Sequence, residues 1–132
     1  MYILGISCFY HDAAASLVKD GEIIAAAEEE RFTREKHTVE FPINAIRYCL
    51  KEAKITSNEV DYVAFYEKPL LKFLRIIDTH LAYFPTSFSS FKAAIPLWLT
   101  TKLKVDGLIR KNLNYGGKII YVEHHNAHAA SA

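Results

Sequence analysis

The dipeptide Asp20-Gly21 is the feature that most constrains the fold of this 132-residue chain. It lies between two apolar runs, in the stretch "SLVKDGEIIAAA" at residues 16–27. A two-residue hairpin turn of type I′ needs positive φ at both central positions, and Asp-Gly meets that requirement. The pattern therefore predicts an antiparallel hairpin formed by residues 16–19 and 22–27.

The segments around this hairpin predict an α/β fold with a mixed sheet. "YILGISC" at residues 2–8 is a short apolar run typical of a strand, and with the hairpin it would form a three-stranded antiparallel meander. The charged stretch 31–41 has no clear period and predicts a loop. Pro42 then opens a helix whose apolar residues recur at helical spacing, at Ile43, Ile46, Leu50 and Ala53. "VDYVAFY" at residues 60–66 predicts the next strand, which gives a β-β-β-α-β start with a crossover helix.

The remainder of the chain is less regular. Residues 69–113 are aromatic-rich and predict helical or irregular structure in no definite order. "KIIYVE" at residues 118–123 predicts a last strand, and the alanine-rich "HHNAHAASA" that follows predicts the start of a helix. We find no repeat or linker, so residues 1–132 are expected to form a single domain.

Composition indicates a globular protein, with 51% hydrophobic and 23% charged residues. The net charge of +1 gives no general attraction to nucleic acid or membrane. Charge is uneven, because residues 1–67 hold 7 basic and 12 acidic side chains (−5) and residues 68–111 hold 8 and 2 (+6). The basic segment 68–111 is either a solvated face or a surface that meets phosphates or an acidic partner domain.

Cysteine usage and apolar run length both predict a cytoplasmic protein. Cys8 and Cys49 lie in apolar surroundings without CxxC spacing, as expected of buried reduced thiols. The N-terminus shows no basic leader or small-residue cleavage site. The longest apolar run, at residues 93–99, contains Pro96 and is far shorter than the ~20 residues of a membrane span.

Three histidines fall within five residues in "VEHHNAHAASA" at residues 122–132. His124 and His128 are four apart, so a helix would place both on one face, about 5–6 Å apart at Cβ. Both could then bind one metal ion, because neutral imidazole suits Fe, Zn, Ni and Cu. The spacing fits equally well two histidines that satisfy backbone groups, and a closed metal site needs at least one more ligand.

Two other polar stretches are candidates for chemistry. His11 and Asp12 follow the first strand, where they either face a ligand or serve as a solvated histidine beside a turn-capping aspartate. "EERFTREKH" at residues 29–37 is either a solvated loop or a basic cluster that holds an anion. The chain contains neither GxGxxG nor GxxxxGK[ST], so it identifies no nucleotide-binding residue.

Four stretches, in this order, make the chain resemble the N-terminal part of the O-carbamoyltransferase family, which includes the nodulation carbamoyltransferases and those of cephamycin and aminoglycoside biosynthesis. They are "ILGISCFYHDAAASLVKDGEIIAAAEEERF", "RFTREKH", "EFPINAIRYCL" and "VEHHNAHAASA". They cover residues 3–50 and the stretch from residue 122, and the basic segment between them matches no motif. The resemblance implies a ribonuclease-H-like half of an actin-like ATPase or sugar-kinase-type fold.

The resemblance also implies a reaction. ATP and carbamoyl phosphate give carbamoyl-adenylate in a separate C-terminal domain, and the carbamoyl group passes to a small-molecule hydroxyl beside a divalent metal, usually iron. His124 and His128 match the metal ligands, whose ion would act as a Lewis acid on nucleotide phosphates. His11 matches an active-site histidine that would deprotonate the acceptor hydroxyl or polarise the carbamoyl group. Lys36 matches a basic residue that would offset charge on the departing phosphate.

Other matches to the family are weaker or fall outside the chain. Asp12 and His37 match less closely. The family's further metal carboxylate, its nucleotide loops, its second half and its adenylate-forming domain would all lie beyond Ala132. We therefore expect residues 1–132 to be an incomplete N-terminal lobe that needs a missing C-terminal half or a partner chain and is inactive alone.

Two alternatives stay open. A tRNA threonylcarbamoyladenosine-type transferase shares the paired-histidine site, and the basic segment 68–111 leaves that hypothesis standing. "FYHDAAASL" and "RFTREKH" favour the small-molecule enzymes, so nucleic acid is not the expected partner. The other alternative is a non-catalytic lobe that covers an exposed apolar edge with a copy of itself, as a homo-oligomer.

Overall fold

The structure, a computed structural model, describes residues 1–100 and 102–130 and contains five strands and six helices in that part of the chain. The strands are β1 (Tyr2–Ser7), β2 (Ala14–Lys19), β3 (Glu22–Glu28), β4 (Tyr62–Phe65) and β5 (Lys118–Tyr121). The helices are α1 (Glu30–Thr33), α2 (Ile43–Ala53), α3 (Pro69–Ala82), α4 (Phe88–Thr100), α5 (Val105–Leu113) and α6 (His124–Ala130), with 3₁₀ turns at Ser57–Glu59 and Lys102–Lys104.

The strands form one mixed sheet in the order β3-β2-β1-β4-β5, which confirms the predicted α/β class and the β-β-β-α-β start. β1, β2 and β3 are antiparallel, whereas β4 and β5 run parallel to β1. Asp20 and Gly21 form the hairpin turn with φ of 50° and 92°, as a type I′ turn requires. β1 is therefore the strand at which the antiparallel meander meets the parallel part of the sheet.

One face of the sheet carries the core. Helix α2 packs on β2 and β3, and its Ile46 and Cys49 are fully buried. Burying a side chain the size of Ile46 stabilises a fold by about 1.5–3 kcal/mol. Both cysteines are buried and reduced, as predicted. The same cluster contains buried residues of the sheet and of α5: Leu4, Ile6, Leu17, Val63, Phe65, Val105, Ile109 and Leu113.

The opposite face of the sheet is open and lined by small side chains. Gly5 pairs with Ser16 on one side and with Ala64 on the other, and Ser16 pairs with Ala26. A Cβ on Gly5 would lie 2.8 Å from Ser16 Oγ, so a larger residue at the centre of this row would force the Ser16 side chain to move. The face borders a hollow of about 960 Å³, which Ala127 of α6 also lines.

Two predictions about the connections need correction. Residues 31–41 are not entirely a loop, because α1 forms one helical turn at Glu30–Thr33. The amide of Arg34 closes that turn on the carbonyl of Glu30, and Arg34 ends it with a left-handed φ of 64°. The last two strands are also shorter than the predicted runs 60–66 and 118–123.

The segment between β4 and β5 is mostly helical. Helices α3 and α4 pack against each other and leave large apolar side chains exposed, at Leu70, Leu74, Leu81, Tyr83, Phe84 and Phe88. Helix α6 begins at His124 as predicted, and residues 131 and 132 of the predicted helical stretch lie outside the described residues. Within the described ranges, no helix has the length and apolar character needed to cross a membrane.

Candidate functional site

The three parallel strands β1, β4 and β5 end side by side, and polar residues follow each of them. We call this line of carboxyl ends the strand edge. Ile6 of β1 lies opposite Phe65 of β4, and Phe65 lies opposite Tyr121 of β5. Because parallel strands point the same way, the residues after them meet at this edge, which is where open α/β sheets bind ligands. The residues concerned are Tyr10, His11 and Asp12 after β1, Tyr66 and Glu67 after β4, and His124 after β5.

The first group at this edge, the Asp12 cluster, consists of His11, Asp12 and His37. Asp12 Oδ2 lies 2.8 Å from His11 Nδ1, and Asp12 Oδ1 lies 2.8 Å from His37 Nδ1. These hydrogen bonds lower the pKa of Asp12, and the bond to Asp12 raises the pKa of His37. The structure thus brings His37 to two residues, His11 and Asp12, that precede it by 25 positions or more in the sequence.

The backbone holds the Asp12 cluster in an unusual conformation. Asp12 and His37 have positive φ angles of 49° and 55°. Non-glycine residues rarely adopt this region, although Asp and His are enriched there. The loop containing His37 is tied to the connection after β1 by two backbone hydrogen bonds, from Phe9 N to Val39 O at 2.8 Å and from Ala13 N to Thr38 O at 2.9 Å.

Lys36 lies in the same loop and is exposed. Its charge acts on His37, where it lowers the pKa and so opposes the larger raising effect of Asp12. Within residues 1–100 and 102–130, Lys36 makes no hydrogen bond or ion pair. Its ammonium group is therefore available to an anion that approaches the Asp12 cluster.

The second group, the histidine pair, consists of His124 and His128 on α6. Their Nε2 atoms are 3.1 Å apart, and their rings are nearly perpendicular, at 85°. With metal–nitrogen bonds of about 2.1 Å, this separation corresponds to an angle of about 95° at a shared ion, as between neighbouring ligands. Burial, followed by the charges of His128 and Lys72, lowers the pKa of His124, which favours the neutral imidazole that binds metals.

Two imidazoles do not complete a metal site. Among the residues that the structure describes, no group of three or more His, Cys, Asp or Glu side chains is placed to hold an ion. The pair fits two positions of a coordination shell, and the remaining ligands stay a prediction.

A buried polar patch, which the sequence analysis missed, lies between the two histidine groups. Glu67 is buried, and its carboxylate lies 2.7 Å from Lys72 Nζ. That ammonium group lies 5.2 Å from the centre of the Tyr10 ring, which in turn contacts the His11 ring at 4.7 Å between centres and a tilt of 51°. Tyr66 contacts His124 edge-on at 5.6 Å between ring centres. The sequence signal that could have revealed this patch is the polar pair Tyr66 and Glu67, which directly follows β4.

Two polar atoms close to the histidine pair lack a partner within the described structure. Tyr66 Oη and His124 Nδ1 are buried, and neither forms a hydrogen bond there. Burial also raises the pKa of Tyr66, and the nearby carboxylate of Glu67 adds to that effect. Both atoms can therefore serve a group that enters this edge, since a buried polar atom without a hydrogen bond is costly.

Comparison with known proteins identifies the family. Residues 2–132 match the family model described as the carbamoyltransferase N-terminus. The chain belongs to the carbamoyltransferase family.

Two longer proteins are similar to almost the whole of this chain. The chain is 50% identical over 139 aligned residues to the uncharacterized protein sll1178 of Synechocystis sp., an alignment that covers 99% of this chain and 23% of that protein. It is 35% identical over 132 residues to the nodulation protein NolNO of Sinorhizobium fredii, which covers 94% of this chain and 17% of NolNO. The chain thus spans less than a quarter of the length of these two relatives.

Proposed function

We propose that this chain is the N-terminal lobe of an ATP-dependent O-carbamoyltransferase. In the proposed reaction, a carbamoyl group moves from carbamoyl-adenylate, made from carbamoyl phosphate and ATP, to the hydroxyl of a small-molecule acceptor. Family membership over residues 2–132 is the observation that carries the proposal. The position of the Asp12 cluster and the histidine pair after strands that end side by side supports it, because open α/β sheets bind their ligands there.

The proposed fold is one ribonuclease-H-like half of an actin-like ATPase or sugar-kinase-type protein. The strand order β3-β2-β1-β4-β5, with an antiparallel meander followed by two parallel strands, supports this proposal. A second half, from the rest of a longer protein or from a partner chain, would close the cleft over the strand edge. The lobe alone would then have no turnover.

His124 and His128 are the residues that would hold the metal, for which we propose iron. When bound, the ion would supply Lewis-acid chemistry toward nucleotide phosphates. The 3.1 Å separation of the two Nε2 atoms supports this assignment.

The transfer step needs a base and a cation, and the Asp12 cluster and its loop offer both. The acceptor oxygen forms a bond to the carbamoyl carbon, the bond from that carbon to the adenylate oxygen breaks, and AMP leaves with the electron pair. His11 would take the proton of the acceptor hydroxyl at Nε2. Lys36 would offset the negative charge that develops on the departing phosphate.

The test separates the two half-reactions in the full-length protein. With ATP, labelled carbamoyl phosphate and a panel of sugar and aminoglycoside acceptors, His11→Asn should reduce carbamoyl transfer by ~100-fold, a typical general-base effect. Pyrophosphate release, which reports adenylate formation, should be unchanged. His80→Asn, which alters a histidine of α3, serves as the matched control. An equal fall in both half-reactions for His11→Asn would mean that His11 is structural.

Self-association of the lobe is a second candidate, and it has an observation of its own. Exposed apolar side chains on α3 and α4 leave a surface of the kind that mediates association. Light scattering should then detect dimers or larger species, whereas a monodisperse monomer at high concentration would contradict this candidate.

The tRNA-modifying alternative stays open because the basic segment 68–111 could contact phosphates. Robust tRNA binding by the full-length protein would favour it.

A further inference from the structure

The carboxylate of Asp12 is fully engaged by two imidazoles. One oxygen lies 2.8 Å from His11 Nδ1 and the other lies 2.8 Å from His37 Nδ1. An ionised carboxylate only accepts hydrogen bonds, so both Nδ1 atoms must carry a proton. A neutral imidazole that is protonated at Nδ1 has its lone pair at Nε2, which lies on the far side of the ring. Asp12 thereby selects one tautomer of His11 and sets the direction of its basic nitrogen.

His37 is the second partner of the same carboxylate. The raised pKa of His37 comes mainly from Asp12, with a smaller contribution from Glu30 that Lys36 opposes. The backbone amide of His37 also donates to Glu30 Oε2 at 3.2 Å, which fixes the loop relative to α1. When His37 is protonated, its charge offsets that of the carboxylate, and Asp12 still accepts a hydrogen bond from His11.

The backbone supports a functional role for this contact. Both Asp12 and His37 adopt left-handed φ angles, and such conformations persist only where the surroundings hold them in place. Neighbouring backbone hydrogen bonds, from Phe9 to Val39 and from Ala13 to Thr38, do so. Strained backbone of this kind concentrates at functional sites.

We propose that Asp12 is a positioning residue that holds His11 in the Nδ1–H tautomer and leaves its Nε2 free to accept the proton of the acceptor hydroxyl. The statement that the proton comes from an acceptor hydroxyl rests on the proposed function. The tautomer of His11 is independent of that function, so it can be measured without any turnover.

The substitution Asp12→Asn isolates this role. Asparagine tolerates the left-handed backbone as aspartate does, so the turn should be retained. The asparagine amide has one acceptor oxygen and one donor nitrogen, whereas both oxygens of the carboxylate accept hydrogen bonds from the two histidines. One of the two imidazoles must then lose its bond or change to the Nε2–H tautomer.

The first measurement is two-bond ¹H–¹⁵N NMR of histidine-labelled chain, which distinguishes the two tautomers. In the unchanged chain, neutral His11 should be protonated at Nδ1. In Asp12→Asn, the Nε2–H population of His11 or His37 should rise, and the pKa of His37 should fall toward its ordinary value. In the full-length protein, kcat for carbamoyl transfer should fall by ~10- to 100-fold with little change in acceptor KM and unchanged pyrophosphate release.

Asp20→Asn is the matched control, because Asp20 is also exposed and left-handed but bonds the N-terminal amine instead of an imidazole. It should leave the histidine spectra and the transfer rate unchanged. The proposal is overturned if neutral His11 carries its proton at Nε2 in the unchanged chain, or if Asp12→Asn alters neither tautomer. Altered tautomers with undiminished transfer would equally exclude the positioning role. Absence of carbamoyl transfer in the unchanged full-length protein would contradict the proposed function alone.

Discussion

Glu29 offers the sharpest test of how the fold is held together. Its side chain is buried, and Oε1 accepts hydrogen bonds from Asn44 N at 3.2 Å and Asn44 Nδ2 at 2.7 Å. Oε2 accepts one from Ala45 N at 2.8 Å. The backbone amides of Asn44 and Ala45 belong to the first turn of α2, where the preceding Pro42 provides no side-chain cap. A carboxylate from the end of β3 therefore performs the role of the helix N-cap.

The cost of removing this cap can be worked out from these contacts. Loss of an N-cap costs about 1 kcal/mol. Each hydrogen bond to a charged group contributes about 1.5–3 kcal/mol, and water entering the site recovers part of that loss. We expect Glu29→Ala to lower the free energy of unfolding by about 3 kcal/mol, which corresponds to a fall in Tm of ~10 °C. Glu29→Gln should cost about 1–2 kcal/mol, because one acceptor oxygen survives while the other becomes a donor that faces a helix amide.

Urea unfolding followed by far-UV circular dichroism measures these differences, provided that the m-value stays constant. Glu28→Gln is the matched control, because Glu28 is the preceding residue, is exposed and lies 3.6 Å from Arg31. An exposed pair of this kind should cost less than ~0.5 kcal/mol when broken. If Glu29→Gln were no more destabilising than Glu28→Gln, the assignment of Glu29 as the cap of α2 would be wrong.

Two further outcomes follow from the site and the core. In the full-length protein, His124→Ala should remove the bound metal, as measured by mass spectrometry of the metal content. His125→Ala, which changes an exposed neighbour on α6, should retain the metal. Unchanged metal content in His124→Ala would refute the ligand assignment. Burial raises the pKa of the Cys8 thiol, and the charges of Glu67 and Glu40 add to the effect, so Cys8 should react with a thiol reagent only when the chain unfolds. Fast modification of Cys8 in the native chain would contradict its fully buried position.

Local signals in the sequence were enough to predict the hairpin and the helix α2. Asp20-Gly21 specified the hairpin, and the apolar period after Pro42 specified α2. Both signals act over a few residues, so no tertiary information was needed. The segment 69–113 lacks such signals, because its apolar residues are spread around helices that leave many of them exposed.

The candidate site was predictable only in part, and three consecutive glutamates show why. In the sequence, Glu28, Glu29 and Glu30 are indistinguishable. In the fold, Glu28 is exposed, Glu29 caps a helix whose first turn lies 15 residues away, and Glu30 holds the amide of His37. These differences depend on long-range packing, which a charged run does not reveal. His11 and His124 were easier to find because they follow strands, and the sequence did predict those strands.

The position of β1 in the sheet also bears on the order in which the site can form. Its antiparallel partner β2 follows it directly in the chain, whereas its parallel partner β4 pairs Tyr62 with Ile3 from far along the sequence. Local pairings close quickly, and distant ones must first overcome the entropy of a long loop. During synthesis, the pairings of the meander can therefore form before β4 and β5 are available, and the Asp12 cluster is made before the histidine pair. The two histidine groups remain apart until the sheet is nearly complete.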